Sequence, residues 1–198
     1  MPLHMTVQQS IVGVLLAAGA GNRFGGGKLV HPLDDGVAIA AHAARNLIAA
    51  GLHVIAVTRT GDFPLADMLE EEGCQVMPCA ESVRGMGHTL AHGVASSRDA
   101  PGWVVALADM PRIRPATIAA VAAAIADGAL IAAASYRGER AHPVGFSARL
   151  RDELMMLSGD TGAKSLLQRH RDDVRLIECD DPGVLLDIDV KADLGRIA

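Results

Sequence analysis

Between Leu15 and Leu29 the chain reads LLAAGAGNRFGGGKL. An apolar segment, Ile11–Ala18, stops abruptly in a stretch that has glycine at 19, 21, 25, 26 and 27, two cations, Arg23 and Lys28, and no acid. A buried strand that gives way to such a loop constrains the fold strongly. Glycine admits positive φ and leaves the backbone N–H groups uncovered. Bare N–H groups beside cations at fixed places suit polyphosphate. A merely flexible strand-to-helix turn requires neither Arg nor Lys.

Two common phosphate loops fail on spacing. A P-loop needs G-x-x-x-x-G-K-[ST]; here Gly21 and Gly27 are one residue too far apart, and Leu29 stands where a hydroxyl is required. A dinucleotide fingerprint needs G-x-G-x-x-G. Gly19 and Gly21 begin it, but Phe24 takes the third glycine position.

Apolar strands alternate with helical segments along the rest of the chain. Strands are expected at 11–17, 52–58, 74–77, 103–108, 130–135, 143–147, 174–177 and 184–186. Helices are expected at 38–50, 63–72, 86–97, 115–126, 150–157, 162–168 and 191–197. This alternation predicts a mostly parallel sheet covered on both faces, with ligands beyond the carboxyl ends of the strands. With 198 residues, 50% of them hydrophobic, the chain is read as one domain over 1–198, with residues 1–10 frayed. Aromatics are only 3%, so aliphatic and alanine side chains must fill the core.

The net charge of -5 argues against a nucleic-acid partner. No apolar run is long enough for a membrane span, and the first ten residues do not read as a signal peptide. Three cysteines, Cys74, Cys79 and Cys179, form no CxxC pair. They read as reduced and structural in a cytoplasmic protein.

Several residues are placed for chemistry. Asp109 follows the run WVVALA at a strand tip, facing the crevice rather than capping the helix that starts near Pro115. Asp187 and Asp189 lie in LLDIDVKADL, where strand alternation would point both one way. Asp189 is alternatively the cap of the last helix, and Asp193 an ordinary surface acid. Arg23 suits bidentate phosphate contact and Lys28 a point charge. Gly85 and Gly87 open a helix and would let a nucleotide approach closely. His88 and His92 share a helical face, but no third ligand completes a zinc site, so a solvated or capping role is favoured. His142 precedes Pro143, and Gly159–Ala163 opens a helix either as a simple turn or as an anion site.

The loop L-A-A-G-x-G-x-R-F-G-x-x-K resembles the signature of the MobA-like nucleotidyltransferases, and within them the molybdenum cofactor cytidylyltransferase branch. The similarity runs on through G-M-G-H-T-L at 85–90, L-A-D-M-P at 107–111, H-P-V at 142–144, G-D-T-G-A at 159–163 and D-I-D-V-K-A-D-L at 187–194, nearly the whole chain in order. It departs where relatives carry T-P-E-D-L after the second acid and this chain has V-K-A-D-L.

That resemblance implies a three-layer α/β/α Rossmann-like nucleotide-diphospho-sugar-transferase fold and a magnesium-dependent enzyme. Asp109 and Asp189 would be the Mg2+ ligands. Lys28 and Arg23, with Asp109, would carry catalysis. Ala17, Ala18, Gly19, Gly21, Gly85 and Gly87 would line the nucleotide with Arg23 and Lys28. His142, Gly162 and Ala163 would meet the acceptor. L-A-A-G rather than L-A-G-G favours CTP over GTP. The implied acceptor is molybdopterin or its molybdenum form, which gains CMP while pyrophosphate leaves. A molybdoenzyme or its chaperone is the implied protein partner. The rivals are guanylyl transfer to the same cofactor, nucleotidyl transfer to a sugar phosphate, and a nucleotide-binding accessory protein.

Overall fold

The computed structural model describes residues 10–196. The fraying expected of the first ten residues and the end of the last predicted helix fall largely or wholly outside them. Seven strands form one sheet: β1 (Val12–Ala17), β2 (His53–Arg59), β3 (Gln75–Cys79), β4 (Gly102–Leu107), β5 (Ile131–Tyr136), β6 (Glu139–Ser147) and β7 (Val174–Glu178). Their spatial order is β3-β2-β1-β4-β6-β5-β7. β1, β2, β3 and β4 are mutually parallel, β5 pairs parallel with β7, and β6 runs antiparallel to both β4 and β5. The helices are α1 (Ile39–Ala49), α2 (Phe63–Glu71), α3 (Met86–Ala95), α4 (Pro115–Ala126), α5 (Arg151–Met155) and α6 (Lys164–Arg169).

Side chains alternate along each central strand, so the sheet has two apolar faces. Leu15, Val54, Val104 and Ala132 share one core with Leu47 of α1, Leu65 of α2 and Val121 of α4. Val14, Ile55, Trp103 and Ile131 share the other with Leu90 of α3, Leu154 of α5 and Leu166 of α6. The result is the expected three-layer α/β/α arrangement. Small residues set the spacing of these layers. A Cβ on Gly93 of α3 would lie 2.6 Å from Val14 Cγ1, and one on Gly145 of β6 would lie 2.6 Å from Ile125 Cγ1. No helix among the described residues is long and apolar enough to cross a membrane.

The strand expected at 184–186 is absent. Pro182–Leu185 forms a 3-10 turn instead. Asp181, almost wholly buried, accepts hydrogen bonds from the backbone N–H groups of Gly183 and Arg114 and from the Thr117 hydroxyl. Those bonds clamp the segment to the start of α4, where a Cβ on Gly183 would collide with the Arg112 carbonyl at 2.1 Å. The last predicted helix is likewise a 3-10 turn over Lys191–Arg196. Strand alternation therefore does not set Asp187 and Asp189. They flank Ile188, which is fully buried with Phe24 and Ile39 in a third, small cluster.

Candidate active site

β1 and β4 lie side by side in parallel, with Leu16 opposite Leu107. Their carboxyl ends therefore deliver the glycine loop and Asp109 to the same place. Ala108 N–H bonds the Leu16 carbonyl at 3.1 Å, and Ile188 N–H bonds the Asp109 carbonyl at 3.0 Å. Three segments far apart in sequence are thus laced together by backbone bonds.

The glycine loop is shaped by its own conformational demands. Gly25, Gly26 and Gly27 have φ of 97°, 89° and 61°, a run that residues with a Cβ rarely adopt. Between Gly21 and Gly25 a 3-10 turn drives Phe24 into the cluster with Ile188. Burying a ring of this size contributes roughly 1.5–3 kcal/mol, which anchors the loop beside the Asp189 segment.

Lys28 is 8% exposed. Its Nζ donates to Asp109 Oδ2 at 2.7 Å and to the Ile188 carbonyl at 2.7 Å, and lies 3.8 Å from Asp189 Oδ1. Arg23 Nη1 meets the other Asp189 oxygen at 3.0 Å, its side chain 73% exposed. Two cations and two carboxylates therefore form one connected chain. Asp193 accepts the N–H groups of both Asp189 and Val190 at 2.9 Å. Those bonds hold its carboxyl below the usual range, and they make it the residue that orders the Asp189 turn rather than an ordinary surface acid. Nor is Asp189 a cap, since its carboxylate is spent on Arg23 and Lys28.

Asp109 Oδ1 is buried and has no partner. An open carboxylate oxygen beside a second carboxylate is a hard-oxygen set that fits a divalent cation such as Mg2+. Among the described residues no group of three or more His, Cys, Asp or Glu gathers to hold a metal. Two protein carboxylates would leave the other positions to water and phosphate oxygens, as Mg2+ prefers.

Beside Asp109 opens a cleft of about 460 Å³ lined by Ala18, Gly19, Lys28, Gly85 and Asp109, with Leu16, Val83 and Met86 as apolar wall; Arg23, His142 and Asp189 do not line it. Other expected residues are placed differently. Ala17 is buried in the core and does not line the cleft. Gly87 is pressed against another segment: its N–H donates to the Gly159 carbonyl at 2.8 Å, and a Cβ there would meet Ser158 backbone at 2.7 Å. Gly85 lines the cleft, yet a Cβ on it would strike Gly159 at 2.3 Å. The G-M-G sequence thus answers first to the 158–160 segment. His88 accepts the Gly159 N–H at 3.2 Å, in keeping with a capping role. Gly21 has φ of 62° and packs on Lys28, so it shapes the loop.

On the acceptor side, α6 begins at Lys164, after Gly162 and Ala163, and spans six residues. Gly162 is buried against Met86. Gly162 packs the loop against α3, and Ala163 packs on the core cluster that Leu90 and Val94 of α3 help to form. His142 sits in β6 before a cis peptide to Pro143. Burial pushes its pKa down, while Asp109, a backbone hydrogen bond at Val105 and Asp187 pull it up and Arg140 adds to the fall. Its imidazole therefore feels Asp109, one of the two carboxylates that meet Lys28. Asp187 itself is exposed.

Arg59 escaped the sequence reading. It ends β2 and lines the cleft opposite Asp109's strand. The available signal was its position: a cation at the carboxyl end of a parallel strand.

Residues 13–174 match the MobA-like NTP transferase domain family. The chain is 30% identical over 190 residues to purine catabolism protein PucB of Bacillus subtilis, covering 90% of this chain and 91% of that one. It is 28% identical over 196 residues to nicotine blue oxidoreductase of Paenarthrobacter nicotinovorans, covering 94% and 96%. Among solved structures, Rv0371c of Mycobacterium tuberculosis superposes with a TM-score of 0.82 at 27% identity, covering 96% of this chain and 97% of that one. Rv0371c has also been solved in complex with manganese, and that structure superposes with a TM-score of 0.73, covering 95% and 97%.

Proposed function

Since this chain belongs to the MobA-like NTP transferase domain family and is a nucleotidyltransferase, we propose that it moves CMP from CTP to the terminal phosphate of a molybdopterin-type cofactor. The observation that carries this reading is the convergence of Asp109 and Asp189 on Lys28, with Lys28 and Asp109 lining a cleft that opens on the glycine loop. A set of two acids and two cations with no activated nucleophile suits chemistry on phosphorus.

The acceptor phosphate is already ionised near neutrality, so its oxygen attacks the α-phosphorus without a strong general base. The new P–O bond forms as the bond to pyrophosphate breaks, and the electron pair leaves with pyrophosphate. The protein's share is alignment and charge neutralisation. Lys28 stabilises charge that grows on the phosphate oxygens, and the exposed Arg23 binds the triphosphate. Asp109 and Asp189 would hold Mg2+, which supplies neutralisation of the phosphate oxygens when bound. Manganese in the Rv0371c complex is in keeping with such a site. Ala18, in place of a second glycine, adds a methyl group where the base approaches, which supports CTP over GTP. On the acceptor side His142 supplies an edge for the pterin.

The test is incubation with CTP, Mg2+ and molybdopterin or its molybdenum form, followed by mass analysis of the pterin. A CMP adduct with stoichiometric pyrophosphate supports the reading. Efficient transfer to a sugar phosphate without any pterin adduct overturns the acceptor, and a larger kcat/KM with GTP overturns the donor.

A further inference from the structure

Arg59 occupies a position that the charge chain around Lys28 does not explain. It lines the main cleft and also a side chamber of about 380 Å³, bounded by Thr60, Gly61, Asp62, Cys79 and Ser82. One Nη donates to Asp62 at 3.2 Å. Its Nε is buried and has no partner. Ser82, which lines both the cleft and the chamber, has a buried Oγ that also lacks a partner.

Buried polar atoms are nearly always satisfied, and leaving one open costs about 1–3 kcal/mol. Both residues also line the cleft and its side chamber, so a ligand seated there lies beside the two groups and favours a small shift that satisfies both. The surroundings say which part of a nucleotide that is. Asp62 balances the guanidinium's charge, so Arg59 offers directed N–H groups rather than surplus positive charge. The cations beside the two carboxylates that would hold Mg2+, and so beside the phosphates, are Lys28 and the exposed Arg23. Leu16, Ala18, Val83 and Met86 make the nearby wall apolar, and Val83 is 82% exposed and free to cover a flat ring. An apolar slot with a few convergent polar groups is the ordinary form of an orienting site.

We propose that Arg59 and Ser82 read the hydrogen-bonding edge of the nucleobase and so set which nucleoside triphosphate the enzyme uses. Arg59 donates to a ring nitrogen or carbonyl, and the Ser82 hydroxyl takes or gives the neighbouring bond. Asp62 holds the guanidinium in register. This inference rests on the nucleotidyl-transfer reading and adds to it the residues that choose the base.

The experiment compares wild type with Arg59→Met, Arg59→Lys and Ser82→Ala by calorimetric titration of CTP, GTP, ATP, UTP and inorganic triphosphate, each with Mg2+. Thermal unfolding checks that each variant is folded. The expected result is a wild type that discriminates among the four nucleotides. Both Arg59 variants then bind the preferred one roughly tenfold or more weakly, with the spread among the four narrowed. Inorganic triphosphate affinity stays unchanged. Ser82→Ala repeats the pattern more weakly. An equal loss for all four nucleotides and for inorganic triphosphate would make Arg59 a phosphate contact and overturn the proposal, as would no loss at all. A wild type that binds none of the five ligands instead refutes the nucleotidyl-transfer reading, and the role of Arg59 falls with it.

Discussion

Lys28 Nζ donates to Asp109 Oδ2 across 2.7 Å, while the other oxygen of that carboxylate is buried without a partner. The ammonium thus balances one side of Asp109 and leaves the other side for a second cation. Lys28→Met should remove the balance. Without divalent cations the variant should unfold at lower urea concentration, by about 1–3 kcal/mol. Activity should fall through kcat more than KM, because the charge that Lys28 meets grows in the transition state. A pure KM effect would make Lys28 a docking residue.

Asp109→Asn and Asp189→Asn should each keep the fold and lower turnover by two orders of magnitude or more, on the usual scale for lost electrostatic stabilisation. Asp187→Asn should stay near wild type, since Asp187 is exposed and Ile188 turns its neighbour Asp189 toward Lys28. Rates at saturating Mg2+ separate these outcomes. Near wild-type turnover in the first two variants rejects the pair.

Much of this architecture was legible in the sequence, and the failures have a common cause. α4 was readable because Pro115 opens it and its apolar spacing is helical. β1 and β4 were readable because both are unbroken apolar runs. Lys28 and Asp109 were each visible as chemistry at a strand end. Their mutual ion pair was not, since the two lie 81 positions apart. The false strand at 184–186 arose because an apolar run says nothing of Asp181, whose buried carboxylate winds that run into a turn. Gly87 misled in the same way: its small size serves Ser158, a segment that no local pattern announces. Arg59 carried no motif at all, only a place at the end of β2.

Gly87→Ala should act on stability before it acts on the nucleotide. The added Cβ meets Ser158 backbone at 2.7 Å, which cannot yield as a flexible side chain would. A loss of about 1–3 kcal/mol is expected in equilibrium unfolding. Triphosphate affinity, measured well below the lowered Tm, should change little. Unchanged stability with weakened CTP binding would return Gly87 to the nucleotide site.

Asp181→Ala reaches the site from a distance. Its carboxylate satisfies Arg114 N–H, Gly183 N–H and the Thr117 hydroxyl, and so fixes the chain that leads to Ile188 and Asp189. Orphaning these donors should cost about 2–3 kcal/mol. The variant should also need more Mg2+ for half-maximal rate, because Asp189 loses its foundation. Lower stability with an unaltered Mg2+ requirement would confine Asp181 to a structural role.

Burial holds the His142 ring below its usual pKa, and its Nδ1 is enclosed without a partner. The sign of the consequence is fixed by linkage. As pH falls through about 6.5 the unfolded chain takes up a proton at this residue, while the folded chain resists it. The unfolded state then binds more protons, so stability should fall with pH below that point. The slope from this one group is at most about 1.4 kcal/mol per pH unit, and it should level off once the folded ring's lower pKa is passed. Urea midpoints of wild type and His142→Gln between pH 8 and pH 5 isolate the contribution, because the other titrating groups cancel in the difference. Wild type should lose its stability relative to His142→Gln on acidification. Parallel curves, or a wild type that gains, would mean that the buried imidazole accepts its proton inside the fold, and that Asp109 and Asp187 outweigh the cost of burial.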